Sequence, residues 1–197
     1  MRSRTARLQP ALGEVGFAFW PSVALYLRDR TGLSDTAARA VPACYPPVDA
    51  DRTLGELAPE VDAWERWWQE TLEAHARDEG MAGGKPLDAL RCASRAWDEV
   101  CRRLGDEPLL WVSRVKADTA GLGTFRDLWE VARQHPLPRS VDPQEAQLRL
   151  VLLPVRGGFQ ARHGRVLLAG VGGDTDLAAH ASWLAGELSA HVESLVR

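Results

Sequence analysis

Lysine is nearly missing from this 197-residue chain: of 24 basic residues, two are lysines (Lys85, Lys116) and the rest are arginines. With frequent alanine, that bias matches GC-rich coding and points to a high-GC bacterium or one of its phages. Cysteine is scarce as well. Cys44, Cys92 and Cys101 are odd in number and form no C-x-x-C, which excludes a paired disulfide framework and favours a reducing, cytoplasmic compartment. Long apolar runs are lacking. The uncharged stretch Val15 to Leu27 is too short to cross a bilayer, and Glu14 before it and Arg28-Asp29-Arg30 after it do not suit a signal peptide. No membrane association is expected.

Recognisable chemistry is lacking too. There is no H-E-x-x-H or Glu-x-x-His pair, no G-x-S-x-G elbow and no G-K-[ST]. Gly170-Val171-Gly172-Gly173-Asp174 offers backbone N–H groups at a helix start but lacks the third glycine of a dinucleotide fingerprint. Too little chain follows it for the further strands such a fold needs. A plain strand-to-helix connection is the simpler reading, so no cofactor and no metal is expected.

What is present is a soluble, globular composition, 45% hydrophobic and 26% charged with a net charge of −3. That is enough chain for a sizeable core in one domain, with a conceivable subdomain boundary near residue 106. Gln147 to Val155 alternates with period two, placing Leu148, Leu150 and Leu152 on one side; from Val151 the other side is apolar also. Arg156-Gly157-Gly158 and His163-Gly164 read as reversals, Phe159 to Arg162 as a short strand and Arg165 to Val171 as a returning one, together an antiparallel meander. Asp174, Thr175 or Asp176 then caps a long helix whose apolar stripe is Leu177, Ala181, Leu184, Leu188, Val192 and Leu195.

Upstream, helices are expected over Pro21 to Arg30, from a Ser34 cap, from a Thr53-x-x-Glu56 capping box, over Pro59 to Glu79 and over Pro86 to Leu104. The last two are joined by Gly80 to Gly84 as an antiparallel pair. Val41 to Val48 is a proline-rich extended connector. Leu109 to Lys116 reads as a strand, and Thr124 to His135 as a helix with Phe125, Leu128, Trp129 and Ala132 inside. The fold class is α+β: a helical N-terminal half packed with a small antiparallel meander and a long C-terminal helix.

Three readings of function compete. Eight tryptophans are present; Trp64, Trp68, Trp97 and Trp129 fall on core stripes, while Trp67 and Trp183 fall about 100° of helix rotation off them. Those two suit a partner or self-association surface. Charge is segregated, with a net −7 over Asp49 to Glu107 and +4 over Pro108 to Gly173. The leading reading is therefore a non-enzymatic protein-binding or assembly module. The second is a small enzyme using His180, Glu187 and His191 on one border of the last helix, with His75 as a further group, for acid–base or metal chemistry. The two histidines lie about 16 Å apart along the helix and cannot share one ion. Cys44, in a loop, is the most exposed-looking thiol but has no nucleophile signature around it. The third reading is a nucleic-acid binder through Arg149, Arg156, Arg162 and Arg165, which with His163 form an anion-binding set in a segment without carboxylates. One stacking aromatic there, Phe159, and a last helix without a basic face weigh against it.

Overall fold

A computed structural model describes residues 9–33, 40–57, 59–76, 86–120, 124–173 and 175–196. The expected Ser34 cap, the Gly80–Gly84 link and Asp174 lie outside these, as do the side chains of His75 and Phe125. In chain order the elements are β1 (Leu12–Phe17), α1 (Phe19–Arg30), α2 (Arg52–Gly55), α3 (Val61–Ala76), α4 (Pro86–Ala93), α5 (Arg95–Leu104), α6 (Glu107–Ala120), α7 (Thr124–Arg133), α8 (Pro143–Ala146), β2 (Leu148–Arg156), β3 (Gln160–His163), β4 (Val166–Gly172) and α9 (Leu177–Val196). The class is α+β, with a four-stranded mixed sheet and the long C-terminal helix.

The sheet order is β1-β2-β4-β3. The expected antiparallel meander is not what forms: β2 runs parallel to both β1 and β4, and among the described strands the antiparallel pair is β3 with β4. After β2 the chain passes to the outside, forms the short edge strand β3, and returns between the two as β4. The phase of side chains on a strand is the same for a parallel or an antiparallel neighbour, so alternation alone did not separate the two arrangements.

Both faces of the sheet are covered. Val151, Leu153, Val155, Val166 and Leu168 pack into one cluster with residues of α1, α3, α4, α5 and α6, including Trp64 and Trp97. Leu148, Leu150, Leu152, Leu167, Ala169 and Val171 pack into another with Leu128 and Ala132 of α7 and Leu184 and Leu188 of α9. The stripe of α9 therefore meets the sheet as its spacing predicts. Burial on both faces explains why β2 turns apolar all round after Arg149, a habit of strands with parallel neighbours.

Other expectations change. Leu109 to Lys116 is part of helix α6: Val112, Val115 and Thr119, at helical spacing, are buried. Pro86 to Leu104 is two helices, because Ser94 is extended and its Oγ accepts from Trp97 N at 3.2 Å, capping α5. Cys92 and Cys101 consequently stand on different helices. At α2 the cap is Asp51, which accepts from Thr53 N at 2.9 Å, rather than Thr53 itself. Strand β1, not expected from the sequence, runs into the uncharged stretch and takes its first residues, Val15, Gly16 and Phe17.

Candidate functional site at the carboxyl end of the parallel strands

The connector between α1 and α2 is fastened by a buried ion pair. Arg28 is fully buried on α1 and donates to Asp29 Oδ1 at 2.6 Å and to the carbonyls of Val41 and Pro42, each at 2.7 Å. Asp29 Oδ2 accepts from Cys44 N at 2.6 Å. Two adjacent side chains thereby satisfy three backbone groups of residues 41–44. The connector is delivered to the end of β2, where Cys44 bridges Val155 and Tyr45 N donates to Pro154 O at 2.8 Å.

Tyr45, joined to Pro46 by a cis peptide, lies over the glycines that end β4. A Cβ on Gly172 would stand 2.5 Å from Tyr45 Cβ and 2.6 Å from Val155 O, so this backbone approach admits glycine alone. Gly173 turns the chain with φ +64°, and Thr175 Oγ1 donates to Gly172 O at 2.9 Å. Of the three capping candidates Asp176 takes the role, its Oδ1 accepting from Ala178 N at 2.9 Å and Ala179 N at 3.1 Å.

Between this turn, the connector and the C-terminal end of α6 lies a cleft of about 360 Å³. Val115, Val171, Leu177 and Pro46 make its apolar walls, Tyr45 is 41% exposed along it, and Asp118 is the charged side chain among the described residues lining it. The position, at the carboxyl ends of β2 and β4, is where open sheets with parallel strands characteristically take ligands. A wider groove of about 630 Å³ follows α3, but its rim is a row of charged side chains: Asp62, Glu65, Arg66, Glu70 and Glu73.

The residues singled out in sequence are placed elsewhere. His180 is buried; its Nε2–H donates to Gly170 O at 2.6 Å and its Nδ1 accepts from the Gln160 amide at 2.8 Å. His191 Nε2–H donates to Ala146 O at 2.5 Å, tying α9 to the end of α8. Glu187 pairs with Arg162 at 3.0 Å. These groups fasten α9 to its neighbours at three separate points and share no cavity with one another among those described.

The four arginines are not brought onto one face either. Register sets Arg149 opposite Val166, in the α1–α3 layer, and Arg162 opposite Leu167, in the α9 layer. Arg149 lies 3.6 Å from Glu14, and Arg165 donates to the carbonyls of Gln144 and Glu145 at 3.0 and 2.7 Å. Arg156 is exposed at the end of β2. Carboxylates absent from the strand segment itself are thus supplied by β1 and α9.

Trp67 is 3% exposed, so the buried side of α3 is broader than its stripe suggested. Trp183 is half-buried against the α7–α9 cluster. Cys44, expected in an exposed loop, is fully buried; burial, with Asp29 nearby, pushes its thiol well above the ordinary range, which removes it as a thiolate nucleophile near neutral pH. Cys101 is pushed up to about 11 by burial, and Cys92 is exposed.

Among the described residues no group of three metal-ligating side chains converges, and no helix is long and apolar enough to cross a membrane. No protein family, curated protein or solved structure matches this chain.

Proposed function

We propose that this protein is a non-enzymatic binding module that receives a segment of a partner protein in the cleft beside Tyr45. The observation that carries this reading is the cleft itself: apolar walls, an aromatic ring exposed along one side, and a backbone floor held rigid by glycine packing and the Arg28–Asp29 staple. Exposed aromatics beside a pocket are the usual anchors of protein interfaces. At about 360 Å³ the space is near the lower end for ligand sites, room for one or two side chains. The groups weighed for acid–base catalysis serve instead as hydrogen-bonded fasteners of α9, which supports a binding role over an enzymatic one. Three free cysteines fit a reducing compartment, and we place the module in the cytoplasm.

The test is retention of partners from the native host by tagged wild type, by Leu177→Trp, which fills the cleft from its rim, and by Val196→Trp, an equal change at an exposed position on the far end of α9. A partner kept by wild type and Val196→Trp but lost by Leu177→Trp is the expected result. A partner held equally by all three, or a chain that stays monomeric and retains nothing, refutes the reading.

A further inference from the structure

We infer that the cleft selects a basic segment: an apolar or aromatic side chain followed by an arginine or lysine. This rests on the binding role proposed above and names the chemistry of its occupant. Among the described residues lining the cleft, Asp118 is the one charged group, and it is exposed with no ion-pair partner among them. A carboxylate beside apolar walls favours a cation on an apolar stem and disfavours an anion. Tyr45, 41% exposed along the cleft, adds in the same direction, since a guanidinium or ammonium is attracted to an aromatic ring while its methylenes cover apolar surface. The start of α9 does not oppose this, because Asp176 already occupies the N–H groups of Ala178 and Ala179 that would otherwise favour an anion. The small volume favours side chains of a polypeptide over a whole cofactor.

The experiment titrates the full chain, by NMR at low ionic strength, with three blocked dipeptides: N-acetyl-Phe-Arg-amide, N-acetyl-Phe-Gln-amide and N-acetyl-Phe-Glu-amide. A fourth titrant is 2-phenylethylammonium. The Arg peptide should bind about fivefold tighter than the Gln peptide, the worth of one exposed ion pair with a ring contact. The Glu peptide should bind weakest, and added salt should shrink the difference. Asp118→Asn should bring the Arg and Gln peptides to equal affinity, and Tyr45→Ala should weaken both. Equal affinity for all three peptides, lost in Leu177→Trp, overturns the charge selection and leaves the cleft as a binding site. Absence of any binding sensitive to Leu177→Trp overturns the cleft along with it. Tighter binding of 2-phenylethylammonium than of the Arg peptide overturns the polypeptide source in favour of a free amine.

Discussion

Replacing Asp29 by asparagine should be among the most destabilising conservative changes available in this chain. Arg28 has no exposure and Asp29 5%, so the substitution leaves a guanidinium in the interior without its counter-charge. Breaking a buried pair in this way costs about 3–5 kcal/mol. Set against a total stability of roughly 5–15 kcal/mol, that is a large fraction. With a urea slope of about 2–3 kcal/mol/M, the unfolding midpoint, followed by tryptophan fluorescence, should fall by about 1–2.5 M. A second variant separates two roles. Apolar replacement of a buried pair is often neutral, so if charge pairing were all, Arg28→Met/Asp29→Leu would recover wild-type stability. Here the carbonyls of Val41 and Pro42 and the N–H of Cys44 also lose their partners. At about 1 kcal/mol for each, the double variant should stay about 2–3 kcal/mol below wild type. A shift under about 0.3 M for Asp29→Asn, or full recovery in the double variant, would show that the pair does not staple the connector.

Two further outcomes are expected. Gly172→Ala should destabilise by about 1–3 kcal/mol, because its Cβ meets Tyr45 and Val155 O; Gly186→Ala, exposed in the middle of α9 with open space around it, should stabilise by about 0.5–1 kcal/mol. Equal effects at the two positions in thermal melts would contradict the close approach at Tyr45. Cys101 keeps its proton up to about pH 11 in the fold against an ordinary value near 9, so its contribution to stability is intact below pH 9 and is lost as pH rises toward 11. Urea midpoints measured from pH 8 to 11 should fall less steeply in Cys101→Ala, and parallel curves would count against burial of the thiol.

The elements that could be read from sequence are those whose burial is periodic. Leu148, Leu150 and Leu152 alternate because one face meets α9, and Leu184 and Leu188 repeat at helical spacing because they meet that same face. Where residue preference and tertiary packing disagree, the reading failed. Leu109 to Lys116 is rich in residues that favour strands, yet Val112 and Val115 are buried one helical turn apart on α6. Strand β1 carries Gly13 and Gly16 and a charged Glu14, so its identity comes from pairing with β2 rather than from its own pattern. The cleft was illegible for a different reason: it joins residues from the connector, α6 and the start of α9, segments far apart along the chain, and no local spacing records that meeting. The glycines of 170–173 were the available signal. They mark a close backbone approach, but not what approaches.

The order β1-β2-β4-β3 also has a consequence for how the molecule is made. The strand that sits between β2 and β3 is the last of the four in chain order, and its residues 166–172 are followed by α9. Until they leave the ribosome, β2 has an open flank and β3 has no neighbour. Leu148, Leu150 and Leu152 therefore stay uncovered on one side until Leu184 and Leu188, further along the chain, are there to pack on them.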